Sequence, residues 1–146
     1  MAQSIKQSAP LATSVGPRPE SAHHVCLAGA GVSNNWSLIE PLKRANQVTV
    51  IESLGLLYSN SILATASVLV LDCGDHPDTG IGAVRILKMI YPDLRVVLVN
   101  GGMSPNQIAE AFREGAIDYF SHHSDPDLVL ERIEHLCRQA KRAAAV

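Results

Sequence analysis

Ser67-Val68-Leu69-Val70-Leu71-Asp72 is the stretch that decides the fold. A short, continuous apolar run of this kind predicts a strand covered on both faces, as at the centre of a parallel sheet. The run ends on a carboxylate, Asp72. On its N-terminal side, Val25-Cys26-Leu27-Ala28 predicts a first strand and Gly29-Ala30-Gly31 a turn. A helix follows from about Asn35 to Ala45, with Leu38, Ile39 and Leu42 on one face. Pro41 inside it predicts a late start or a kink. Val48 to Ile51 is a β-branched run and the second strand. Ser53 is placed to cap a helix running to about Leu63.

On the C-terminal side, Cys73 to Thr79 reads as a loop. Gly80 to Tyr91 then carries Ile81, Val84, Leu87, Met89 and Ile90 at helical spacings, and Pro92-Asp93 breaks the pattern. Leu94 to Val99 is a fourth strand ending at Asn100. Ser104-Pro105 supplies an N-cap and a first-turn proline. Ile108, Ala111 and Phe112 are expected to face the core, and Gly115 to stop that helix. Ile117 to Phe120 is a short fifth strand. Asp125-Pro126 opens a last helix, with Leu128, Ile133, Leu136, Cys137 and Ala140 expected inward. Arg132, Arg138, Lys141 and Arg142 are expected outward or near its C-terminal dipole.

Five strand–helix repeats predict one α/β domain: a parallel sheet, helices on both faces and right-handed crossovers. Functional groups in such sheets gather beyond the C-terminal strand ends. Here those ends are Ala28-Gly29, Glu52, Asp72, Asn100 and Ser121-His122.

The totals agree with one domain. The chain has 146 residues, 47% of them apolar, enough for a core without staples. Met1 to about Ser21 is rich in Ser, Ala, Pro, Gln and Gly and is expected to be a flexible extension. The domain is expected over residues 22–140, with a tail at 141–146. A net charge of −2 gives no electrostatic footprint for nucleic acid or an anionic membrane. No apolar run approaches the roughly 20 residues that span a bilayer, and the N-terminus lacks the charged-then-apolar order of a signal peptide. Cys26, Cys73 and Cys137 are odd in number and widely spaced, which argues against disulfides or a zinc cage and for buried thiols in a reducing cytoplasm.

Val68-Leu69-Val70-Leu71-Asp72, followed by Pro77 and Gly80, resembles the phosphoacceptor strand and loop of response-regulator receiver domains. Gly115-Ala116-Ile117-Asp118-Tyr119-Phe120 resembles that family's Gly-Ala-x-Asp-Tyr-Leu run before the fifth strand's lysine. The resemblance spans about Val25 to Arg138. It implies a flavodoxin-like, doubly wound, five-stranded parallel sheet in the order 2-1-3-4-5.

By that resemblance Asp72 stands at the acceptor position. A working receiver adds two acids after the first strand, a hydroxyl residue after the fourth and a lysine after the fifth. The donor and the attacking carboxylate are both anionic, so Mg²⁺ and the lysine must neutralise their approach. Here the acid positions fall on Ala28 and Gly29, the hydroxyl position on Asn100 and the lysine position on His122. His123 replaces the usual following proline, and Pro77 comes one residue late. One carboxylate among glycine and apolar residues is a poor Mg²⁺ site, and the spacing of Asp75 and Asp78 in the following loop matches no ligand motif. Histidine at 122 is mostly neutral above pH ~6.5. The expectation is a pseudo-receiver: no enzyme, no catalytic residues, no metal and no cofactor. It would work through a protein partner or a homodimer on the helix 4–strand 5–helix 5 face, about Asn106 to Arg113 and Leu128 to Arg142. Tyr119 falls where receivers place the aromatic whose rotation reports activation.

Alternatives remain open at this level. Asp72 could be phosphorylated in an ordinary receiver. Gly29-Ala30-Gly31 after a strand, with Glu52 ending the next, has the layout of a dinucleotide fingerprint, although Asn34 occupies the third glycine position. Asp72, His76, His122 and His123 could form a metal or pH sensor. Trp36 is expected to be a half-buried packing residue.

Overall fold

The computed structural model describes residues 12–13 and 23–145. Five parallel strands form the body of the sheet: β1 His24–Ala28, β2 Gln47–Ile51, β3 Val68–Asp72, β4 Arg95–Val99 and β5 Asp118–Phe120; a two-residue antiparallel strand, Ala12–Thr13, adds to its β2 edge. Their order is 2-1-3-4-5, as expected for the flavodoxin-like arrangement. The register pairs Leu27 with both Val50 and Val70, and Val70 in turn with Val97.

The helices are α1 Trp36–Ala45, α2 Leu54–Tyr58, α3 Pro77–Ile90, α4 Pro105–Glu114 and α5 Pro126–Ala145. Successive strand residues point to opposite faces, and here both faces are covered. Cys26, Leu69, Leu71, Val96 and Leu98 pack with Leu57, Ile81, Val84, Leu87 and Ala111, under α2, α3 and α4. Val25, Leu27, Val68, Val70, Val97 and Val99 pack with Leu38, Ile39, Leu42, Ile133 and Leu136, under α1 and α5. This two-sided burial explains why β3 reads as an unbroken apolar run.

Several boundaries differ from the sequence expectation, each for a local reason. The helix expected from Ser53 to Leu63 divides into α2 and a separate 3₁₀ turn, Ser61–Ala64. The Asn60 side chain accepts from the Ile62 N–H at 3.0 Å and starts that second turn. The segment expected as a loop up to Thr79 becomes helical at Pro77, which stands in the first turn of α3 where its missing N–H costs nothing. Helix α1 starts at Trp36 and continues through Pro41.

Phe112 and Leu128, both expected inward, are exposed, and Val129 takes the buried place in α5. Trp36 is 61% exposed, not half-buried, because it opens α1 with Leu38 and Ile39 turned to the sheet in its stead. Ala12–Thr13 pairs antiparallel with Thr49 and Val48 of β2, and α5 runs on to Ala145. The side chains of Lys141 and Arg142, expected near the end of α5, lie outside the described residues.

Candidate functional site

The C-terminal ends of β1, β3, β4 and β5 meet around Asp72, which is 9% exposed. Asp72 Oδ1 accepts from the Gly74 N–H at 2.9 Å and from the Asn100 amide Nδ2 at 3.0 Å. Among the described residues these two are its donors. The first closes a short Asx-type turn that Gly74 makes at φ 58°. The second ties β3 to the loop that leaves β4.

The β1 side of the pocket is sealed by backbone. Ala28 is fully buried in the sheet core. Gly29 has φ 122°, its N–H donates to the Ile51 carbonyl at 3.0 Å, and a β-carbon there would collide with the Asp72 carbonyl oxygen. The two positions that the receiver resemblance assigns to acids thus hold a core methyl and a backbone contact.

The β4 side is made of hydrogen bonds. Asn100 has φ 65°, the left-handed region that Asn tolerates better than most residues. Gly101 and Gly102 follow with φ 95° and 56°. Gly101 fits closely over Cys73, since a β-carbon on it would stand 2.9 Å from the Cys73 Cβ. On the opposite side Gly80 of α3 has no room for a β-carbon against the Cys73 sulfur. Burial and, secondarily, the Asp72 charge push the Cys73 thiol up to about 12. Burial pushes Cys26 and Cys137 to about 12 as well. All three are free, buried and un-ionised at neutral pH.

Past the glycines, the Met103 N–H donates to the Tyr119 hydroxyl at 3.2 Å, and the Tyr119 ring packs on the core. Ser104 and Gln107 form a reciprocal capping box at the start of α4. Gln107 Nε2 also donates to Asp78 Oδ1 at 3.2 Å, and Arg85 pairs with Glu114 at 2.8 Å and Glu110 at 3.6 Å. The loop after β4 is therefore tied at once to Asp72, Tyr119 and α3.

His122 does not join this cluster. It is exposed, with its ring 4.1 Å from that of His123. It lines a shallow cavity between α1 and α5 with Ser37, Asn100, Ser121 and Ser124. Asp75, His76 and Asp78 are exposed. Among the described residues, no three His, Cys, Asp or Glu side chains gather where they could hold a metal, so the set Asp72, His76, His122 and His123 is not brought together. The dinucleotide layout also loses its geometry. Gly31 leads into a three-residue 3₁₀ turn, Val32–Asn34, and the Glu52 carboxylate accepts from the Ser33 N–H at 3.3 Å. The sheet order is likewise not that of the two-halved dinucleotide fold.

Solved structures share this architecture. A CheY-like receiver domain protein from Methanospirillum hungatei JF-1 superposes with a TM-score of 0.71 at 16% identity, over 84% of this chain and 98% of that one. The fold is the receiver-domain fold. The beryllofluoride-activated DrrB receiver domain matches with a TM-score of 0.69 at 19% identity, over 80% of this chain and 98% of its own. A response regulator receiver protein from Pseudoalteromonas atlantica matches with a TM-score of 0.67 at 14% identity, over 80% and 98%. No family model and no curated sequence matches the chain. No helix among the described residues is long and apolar enough to cross a membrane.

The sequence missed the Met103–Tyr119 bond, the Gln107–Asp78 bond and the packing of Cys73 between Gly80 and Gly101. Asn100-Gly101-Gly102 was visible as a turn signal. The others join residues far apart in the chain and leave no local pattern.

Proposed function

We propose that this receiver fold is a signalling module that works through protein contact, with Asp72 as a structural acceptor in place of a phosphoacceptor. The observation that carries this reading is the enclosure of Asp72: its Oδ1 receives Gly74 and Asn100, while Gly29 leaves no room for a side chain beside it. A Mg²⁺ ion would find one carboxylate and no second carboxylate from the end of β1, where Ala28 and Gly29 stand. Arg132, bound to Asp118 at 2.8 Å, and the exposed Phe112 and Leu128 belong to the α4–β5–α5 region where a protein partner or a second copy would dock. The module is a binding protein and not an enzyme, and its place is the cytoplasm.

The test is incubation with Mg²⁺ and acetyl phosphate, and separately with beryllofluoride, followed by intact mass and amide NMR spectra. The expected result is an unchanged mass and unchanged signals at Asp72, Asn100 and Met103. A phosphoryl adduct on Asp72 would establish the second reading, an ordinary phosphorylated receiver. That reading draws on the position of Asp72 at the C-terminal end of the central strand.

A further inference from the structure

The two edges of the sheet are built differently. The β5 edge is three residues long and carries a charge, Asp118, held by Arg132. Shortness and charge are common devices against edge-to-edge association. The β2 edge has neither. Gln47-Val48-Thr49-Val50-Ile51 is five residues long, four of them β-branched, with no charge and no proline. Such a strand presents its unpaired N–H and C=O groups as a template for another strand.

What protects it is the chain's own backbone. Ala12 lies opposite Thr49 and Thr13 opposite Val48, antiparallel, at the middle of the exposed side of β2. A ladder of two residues has few hydrogen bonds, so it can be exchanged for a longer one. We propose that the β2 edge is a strand-accepting surface, closed within one molecule by Ala12–Thr13 and open, once that pairing is lost, to β2 of a second copy.

The chemistry favours a second copy as the occupant. A two-fold antiparallel pair centred on Thr49 sets Gln47 of each copy against Ile51 of the other. That register brings Arg44, in the last turn of α1 before β2, toward Glu52, just after β2, of the other copy. Glu52 and Arg44 are both exposed. The faces of the sheet are already covered by α1 to α5, so only edge pairing would extend it.

The test uses the full chain with Ala12→Pro and Thr13→Pro together, which removes the N–H groups of the covering strand. Sedimentation velocity over a range of concentrations reads the association, and amide exchange reads Val48 and Thr49. The parent is expected to remain at the mass of one chain, 15.6 kDa. The double variant is expected to shift toward twice that mass as concentration rises. Adding Val50→Lys, at a half-buried position on the edge, is expected to return it to one chain. A double variant that stays at one chain mass overturns the proposal, whether or not its β2 amides exchange faster. A dimer that survives Val50→Lys in a folded protein overturns it too, since the contact would then lie elsewhere.

Discussion

The two sides of Asp72 are closed by different means. On the β1 side, backbone lies against backbone: Gly29 at φ 122° meets the Asp72 carbonyl with no space for a β-carbon. On the β4 side, a side-chain amide reaches across to the carboxylate, and the loop behind it is fastened by Tyr119 and Gln107. The first closure is steric and has no intermediate setting. The second is a set of hydrogen bonds, each of modest worth and separately removable. A carboxylate between them is fixed by one wall that cannot yield and one that can be loosened a bond at a time.

The largest expected effect falls on the rigid wall. Gly29→Asp, which places a second acid beside Asp72, should cost about 3 kcal/mol or more, from left-handed strain plus collision with the Asp72 carbonyl. Urea unfolding checks it. A loss no larger than that of any β4-side variant would erase the contrast. Next comes Asn100→Gly, which keeps the positive φ freely and removes one donor from a nearly buried carboxylate. It should cost about 1–3 kcal/mol, with the Gly74 amide signal retained in NMR spectra because that donor stays.

Tyr119→Phe removes the acceptor of the Met103 N–H and should cost about 1 kcal/mol. Its signature is faster amide exchange at Met103 with little change at Gly74. The smallest effect concerns Cys73, whose thiol is raised first by burial and then by Asp72. Asp72→Asn should lower that pKa while leaving it well above the ordinary 9.0, as read from the pH dependence of alkylation. The same burial links the three thiols to alkaline stability. Their folded pKa values, about 12, exceed the ordinary 9.0 of an exposed thiol. Stability is thus whole below pH 9 and drains away as pH rises from there toward 12. Melting temperatures across that window should fall, and less steeply for Cys73→Ala.

Much of the fold was legible because its signals are local or periodic. The runs at β1, β3 and β4, the N-cap at Ser104 and the glycine stop at Gly115 appear in the sequence as they do in space. Where the sequence misled, the decision was tertiary. Phe112 and Leu128 sit at apolar helical spacings, but the faces of α4 and α5 that pack on the sheet give the inner place to Ala111 and Val129. Ser59-Asn60-Ser61 held enough capping chemistry to divide a helix, yet apolar residues on both sides suggested continuity. At the candidate site, strand order put Asp72, Ala28, Gly29 and Asn100 at the C-terminal end of the sheet, while His122 lies apart from the carboxylate. That Gly29 backs onto a carbonyl, or that Asn100 is left-handed, could not be read from that order, since glycine and asparagine are equally at home in turns that touch nothing.

Gly80, Cys73 and Gly101 form a stack in which the Cys73 sulfur fills the space a methyl at 80 would take and the Cys73 β-carbon crowds the space a methyl at 101 would take. The three positions consequently share a single allotment of volume. A methyl gained at 80 would be tolerated only together with a smaller group at 73, so substitutions here should be strongly non-additive, each harmful alone and milder in the right pair. At this place the cysteine acts through its size, as a buried un-ionised thiol that two close backbones enclose.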